Sequence, residues 1–144
     1  MKISTKGRYG VAAMYDLAMN YGKGPISLKS IAGRQKISEN YLEQLVSTLR
    51  KAGYVKSIRG AQGGYTLSKE PEQISVGDII RVLEGPIALV DCLLVGSNDL
   101  DCCERADICV TRDVWAKVCD SISAVVDSIS LADLCREEKL KGEL

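Results

Sequence analysis

Four cysteines, Cys92, Cys102, Cys103 and Cys109, fall within eighteen residues of one another, in a stretch rich in Gly, Ser, Asn and Asp. Thiolates gathered in a polar loop can wrap a soft metal centre or exchange electrons, since no helical or sheet ladder has to be broken to admit the ligand. Their spacing is not the paired C-x-x-C of a zinc ribbon, which lowers the structural-zinc reading. Copper(I), an iron–sulfur centre and a metal-free redox switch stay open. Inert buried cysteines rarely cluster in a polar loop. Cys119 and Cys135 lie on helical patterns beyond it and are expected to be structural. The chain has no histidine, so a cysteine nucleophile would lack its usual base. It shows no G-x-S-x-G, phosphate-loop or paired-carboxylate pattern either, and neither an enzyme nor a small-molecule substrate is expected.

A second constellation lies in residues 38–67. Tyr41, Leu42, Leu45, Val46, Leu49 and Ala52 recur at helical spacing, with Ser38 placed to cap the first turn. The opposite face carries Asn40, Glu43, Gln44, Ser47, Thr48 and Lys51, side chains that can meet base edges or phosphates. Glu43 in particular can accept from cytosine N4. Gly53 stops this helix. Val55–Ile58 and Tyr65–Leu67 read as two short strands, joined through Arg59-Gly60-Ala61-Gln62-Gly63-Gly64, a segment able to turn tightly and approach a partner closely. A helix running into a basic hairpin suits duplex DNA, helix in the major groove and wing at the minor groove. A unit that only packed a core would need no such polar face.

Charge is divided along the chain. Residues 1–70 hold 12 Lys or Arg against 4 Asp or Glu, and residues 71–144 hold 7 against 15, within a formal net charge of zero. The basic half coincides with the helix and wing, as a nucleic-acid surface requires; the acidic half implies a different task.

The elements that must position these residues are mainly helical. Lys6 to Tyr21 predicts a first helix ended by Gly22-Lys23-Gly24-Pro25, and Ser27 caps a second over Leu28 to Gln35. The Lys36-Ile37 turn then completes a helix-turn-helix. Ser75-Val76-Gly77-Asp78 is a capping-box pattern opening a fourth helix through Leu83, stopped by Gly85-Pro86. A long helix follows over Val110 to Ser128; Val114, Val118, Ile122 and Val125 form its candidate seam for a two-fold dimer. Ser130 to Asp133 repeats the capping-box pattern as a last short turn, with a frayed tail from Glu137. With 144 residues, no Phe and one Trp, burial rests on aliphatic side chains and Tyr. No segment approaches the ~20 apolar residues that span a bilayer, and the start lacks an apolar signal region, so a cytoplasmic protein with no membrane partner is expected. There the cysteines would be thiols or metal ligands rather than disulfides.

The chain resembles the IscR/NsrR/CymR group of dimeric winged-helix transcriptional regulators, iron–sulfur regulators among them. The resemblance is carried by Ser4 to Gly10, Ile37-Ser38, Tyr41 to Leu45, Leu49 to Gly53, Arg59-Gly60, Gly63 to Tyr65, Val76 to Ile80, and Cys109 with the following helix. It implies a winged helix-turn-helix DNA-binding domain over 1–84, a cysteine sensor loop over 85–109, and a dimerisation helix and tail over 110–144. It implies a homodimer on double-stranded promoter DNA. Contacts would come from Lys6, Arg8 and Tyr9, from Ser38, Asn40, Tyr41, Glu43, Gln44, Ser47 and Arg50, and from Arg59, Gly60, Gly63 and Gly64. It implies an iron–sulfur cluster, [2Fe–2S] foremost, on Cys92, Cys103 and Cys109. The group's histidine ligand, three residues after the last cysteine, is replaced here by Arg112, a poor ligand because it stays protonated. The fourth bond is left open between Cys102 and a carboxylate of the partner's first helix, for which Asp16 is the alternative. A cluster-free branch answers instead to a protein partner or to thiol oxidation.

Overall fold

Helix α1 spans Thr5–Met19 and buries Gly7, Gly10, Ala13, Met14, Leu17 and Ala18 along one face. The computed structural model describes residues 3–94 and 108–142. Helix α2 covers Leu28–Gln35, its first turn capped by the Ser27 hydroxyl, which accepts the Ser30 amide at 3.2 Å. Lys36 then adopts the left-handed conformation, φ 56°, and Ile37 is buried; this pair is the turn of the helix-turn-helix. Helix α3, Glu39–Lys51, buries Leu42, Leu45, Val46 and Leu49. Gly53, φ 90°, ends it, donating its amide to Arg50 at 3.0 Å. Strands β1, Val55–Ile58, and β2, Gly64–Leu67, pair antiparallel from Val55 opposite Leu67 to Ile58 opposite Gly64. The second strand starts one residue earlier than the sequence pattern indicates, because Gly64 closes the ladder opposite Ile58.

A single turn at Pro71–Gln73 leads to α4, Val76–Glu84. Its capping box forms as the sequence pattern requires: Asp78 N–H donates to the Ser75 hydroxyl and Ser75 N–H to the Asp78 carboxylate, both at 3.0 Å. Helix α4 packs its Leu83 and Glu84 side chains onto the glycines of α1. A Cβ on Gly10 would overlap the Leu83 side chain, and one on Gly7 would stand 2.9 Å from the Glu84 carboxyl carbon. On its other side α4 meets α5, Val110–Ser128, where Gly77 admits Asp127 and Arg81 grips that carboxylate with both amino groups, at 2.6 and 2.9 Å.

The last helix corrects an expectation. The segment from Leu131 is no short turn with a frayed tail but a twelve-residue helix, α6, Leu131–Gly142. Its capping box forms through Ser130 and Asp133, at 3.1 and 2.9 Å. Backbone bonds from Val76 to Ile129 (2.8 Å) and from Leu131 to Ile74 (2.9 Å) lock its start beside the start of α4. Leu131 is fully buried in the same cluster as Met14, Leu17, Ile31, Leu42, Val46, Leu49, Val55, Leu67, Ile74 and Ile79. Leu134 and Cys135 cover that cluster, and the Tyr15 phenol on α1, held protonated first by its burial, bonds Glu138. A polar sequence makes a stable helix here because one narrow stripe docks on α1. Helix α5 differs. Cys119 is its one buried residue, while Val110, Val114, Trp115, Val118 and Val125 are exposed.

Because Leu131 belongs to the core, Leu131→Ala is expected to cost about 2–5 kcal/mol in denaturant-induced unfolding. A loss within error of zero would return α6 to the status of an accessory tail.

Candidate functional site

The polar face of α3 is pinned from beneath. Leu42, Val46 and Leu49 are fully buried, so Asn40, Glu43, Gln44 and Arg50 are held outward on a helix that cannot roll. Ser47 is half-buried at the edge of that face. The Ser38 hydroxyl is occupied as the cap of α3, accepting the Tyr41 amide at 3.3 Å. Tyr41 itself is half-buried against the core and meets the Tyr9 ring edge-on, centroids 5.9 Å apart; these two rings brace α1 against α3. Lys6 and Arg8 are exposed on the first turns of α1, the Arg8 guanidinium 5.7 Å from the Tyr9 ring centre.

The hairpin tip projects Arg59 and Gly60 into solvent. Gly60 has φ 117°, and its carbonyl accepts the Gly63 amide at 3.0 Å to close the turn. Gly63 and Gly64 are glycines for a reason within the fold. A Cβ on Gly63 would overlap the Ile58 carbonyl, and one on Gly64 would strike the Ile26 carbonyl and approach the Ser27 amide within 2.9 Å. That close approach lets Ile26 and Tyr65 exchange backbone bonds of 2.9 and 2.8 Å, tying the wing to the entry of α2.

The helix-turn-helix is also fixed by a buried carboxylate. Asp16 on α1 is 3 % exposed and takes three hydrogen bonds, Arg34 Nε at 2.9 Å, Arg34 Nη2 at 2.7 Å and Gln35 Nε2 at 3.0 Å. Both its oxygens are thus committed to α2. Ligating a partner's metal would require Asp16 to give up these bonds, leaving a buried carboxylate without its guanidinium partner.

The thiol site is assembled along α5. The Leu89 amide donates to the Cys119 sulfur at 3.2 Å, and Arg112 Nη2 donates to the Cys92 carbonyl at 3.3 Å. From residue 119 back to 112 is seven helical residues, about 10 Å of axis. From Leu89 to Cys92 the chain advances three residues and tightens into a single 3₁₀ turn at Asp91–Leu93. The segment therefore runs antiparallel to α5 and delivers Cys92 to its first turn. Cys109 occupies the N-cap position of that same helix, its sulfur 3.1 Å from the Thr111 hydroxyl. Cys103 and Cys102 lie outside the described residues, and no group of three metal-binding side chains occurs among the described ones. Cys119 is buried and Cys135 half-buried, its thiol pushed up by burial, which fits the structural role expected for both.

The family model of Rrf2, an iron-dependent transcriptional regulator, matches residues 3–137. The chain belongs to the Rrf2 family. It is 53% identical over 134 residues to the HTH-type transcriptional regulator CymR of Bacillus subtilis, across 93% of this chain and 89% of that protein. The solved structure of B. subtilis CymR, described as the global cysteine regulator, superposes with a TM-score of 0.78 at 51% identity, over 95% of this chain and 98% of its own. The structure of T. potens IscR gives the same TM-score at 55% identity, over 96% and 88%. This Rrf2-family chain is therefore a winged-helix transcriptional regulator, and its relatives are regulators rather than enzymes. No helix among the described residues is long and apolar enough to cross a membrane.

Sequence reasoning anticipated the exposed polar face of α3 and the exposed Arg59 at the hairpin tip. It missed the Asp16–Arg34–Gln35 clamp and the structural demand at Gly63 and Gly64. The clamp had one available signal, an acidic residue among the apolar positions of α1.

Adding a methyl group at Gly64 forces backbone apart from backbone, so Gly64→Ala is expected to destabilise by about 1–3 kcal/mol. Gly33→Ala, in open space within α2, should instead stabilise by about 0.5–1 kcal/mol. Thermal unfolding of both variants checks the pair, and equal shifts would contradict the wing anchorage.

Proposed function

We propose that this protein is a cytoplasmic, dimeric regulator that reads promoter DNA with α3 and the hairpin wing, its binding tuned by an iron–sulfur cluster on loop cysteines. The observation that carries the reading is the arrangement of Cys92 and Cys109 at one end of α5, in a chain whose α3 presents an anchored polar face beside Arg59. In this reading residues 1–84 read DNA, 85–109 sense, and 110–144 pair two copies, although α6 also completes the core of the first unit. Of the expected seam, Val114, Val118 and Val125 are exposed, 37–58% accessible, and Ile122 is half-buried, with exposed Val110 extending the stripe; this supports a helix–helix seam, since single subunits rarely leave such a face in water.

On DNA, Asn40, Glu43, Gln44 and Ser47 would meet base edges from the major groove, with Lys6, Arg8 and Arg50 on phosphates and Arg59 at the minor groove. Ser38, Tyr9 and Tyr41 contribute by holding α3, and Gly60, Gly63 and Gly64 by shaping the wing.

The residues present fit a cluster. Cys92 and Cys109 are soft donors at the positive end of a nineteen-residue helix, beside the Arg112 cation, surroundings that offset the charge of several thiolates. Cys103 would be the third ligand, with Cys102 as the candidate fourth. The cluster, [2Fe–2S] foremost, supplies a redox- and iron-dependent link between the loop and α5. The chain's own contribution is to hold that loop against α5, which α4 joins to α1.

A second reading, a regulator without a cluster that answers to thiol chemistry or a protein partner, is supported by the similarity to CymR.

Two measurements test the proposal. Anaerobically purified protein should be brown, with stoichiometric iron and sulfide; Cys92→Ala, Cys103→Ala and Cys109→Ala should lose the visible absorption, whereas Cys119→Ser and Cys135→Ala keep it. Colourless wild-type protein would favour the second reading. Arg59→Ala is expected to weaken operator binding by about 1–3 kcal/mol while thermal stability stays near wild type. Unchanged affinity at near-physiological salt would remove the wing from the mechanism.

A further inference from the structure

Arg112 is the residue at the thiol site with an unmet demand. Its Nη2 is used by the Cys92 carbonyl at 3.3 Å, but its Nε, fully shielded from solvent, has no hydrogen-bond acceptor among the described residues. Buried polar groups are nearly always satisfied, and a charged donor left without an acceptor is costly. The position of this donor is informative. Arg112 lies three residues beyond Cys109 on α5, so the two share a helix face, and its other arm grips the residue that carries the second thiol. The guanidinium therefore ties the residue that carries one thiol to the first turn of the helix that the other thiol's residue opens. Its planar fork can serve two acceptors at once, a carbonyl on one edge and an anion on the other.

We propose that Arg112 is a positioning residue of the sulfur centre, donating its Nε–H to a sulfur anion of the cluster while holding Cys92 in place through its carbonyl. The inference rests on the cluster reading given above. Arg112 is not a ligand here: it occupies the first turn of α5 as a fixed cation. A one-electron reduction adds negative charge to the cluster, and a neighbouring cation and sulfur-directed hydrogen bond favour that reduced state. Arg112 thus sets how readily the centre is reduced.

The test uses full-length protein, purified anaerobically, with iron and sulfide content and a spectroelectrochemical titration measured on each sample. Arg112→Leu and Arg112→Gln should retain the visible chromophore yet shift the oxidised-to-reduced equilibrium at least tenfold toward the oxidised form, about 59 mV for a one-electron couple. Arg112→Lys, which keeps the charge, should recover part of that shift. If Arg112→Leu loses its iron, Arg112→Gln carries the measurement, because its amide can still donate to the Cys92 carbonyl. A neutral variant with full iron content and the wild-type potential would overturn the proposal. So would loss of iron from all three variants, which would make Arg112 only a brace for the loop. A colourless wild type would overturn the cluster reading itself, and this inference with it.

Discussion

The molecule is organised by the close passage of α4 between α1 and α5, at points where a glycine of one helix receives a side chain of the next. Gly7 and Gly10 let Glu84 and Leu83 settle onto α1, and Gly77 lets Asp127 of α5 settle onto α4. Larger side chains at these three positions would oblige Glu84, Leu83 and Asp127 to move, Asp127 from the place where it pairs with Arg81. Interiors packed at this density transmit displacement rather than absorb it. The consequence is a continuous rigid path. The Asp16 clamp and the Tyr9–Tyr41 contact fix α2 and α3 to α1, α1 is fixed to α4, and α4 to α5, along which the Cys92 segment is laid.

That path gives physical content to coupling between a sulfur site and a DNA surface. A cluster can alter DNA affinity only by interacting differently with two arrangements of the protein. In the proposed reading the arrangement it would bias is the setting of α5, because Cys92 and Cys109 both meet its first turn. The exposed apolar stripe lies on the same helix. A small change in how two copies cross there would alter the separation of their two reading helices, which half-site spacing on DNA makes consequential. The division of charge fits this layout, with the positive excess in the reading half and the negative excess in the half that carries α5 and α6.

Much of this was legible in the residues. Helix α3 shows a strong periodic contrast between Leu42, Val46 and Leu49 and the polar face opposite, and Gly53 and the wing glycines punctuate it, so its bounds and orientation follow from local physics. The capping boxes at Ser75 and Ser130 were visible for the same reason. Helix α6 was legible only at its start: its buried stripe is Leu131, Leu134 and Cys135, too few apolar residues to announce a helix, and its stability comes from the α1 surface beneath. Asp16 illustrates a different limit. A carboxylate on an otherwise apolar face can be a ligand or a buried clamp, and only the approach of Arg34 and Gln35 from another helix decides between them. Gly63 and Gly64 read equally well as DNA-facing glycines or as points of backbone crossing, and the Ile58 and Ile26 carbonyls supply the second reason. Arg112 stood out in sequence as the residue replacing a ligand; its bond to the Cys92 carbonyl, and its Nε without an acceptor among the described residues, come only from the folding of residues 89–92 onto α5.

The central claim, that the state of the loop thiols is felt at α3, is tested most directly by comparing one protein preparation with and without its cluster on the same DNA. Fragments enriched by the purified protein from a random library would be titrated anaerobically with holo protein and with apo protein made by chelation, at one near-physiological salt concentration. Coupling of the usual size, about 1–3 kcal/mol, predicts affinities that differ about 5- to 150-fold on at least one class of fragment. Coincident binding curves for holo and apo protein on every fragment would contradict it.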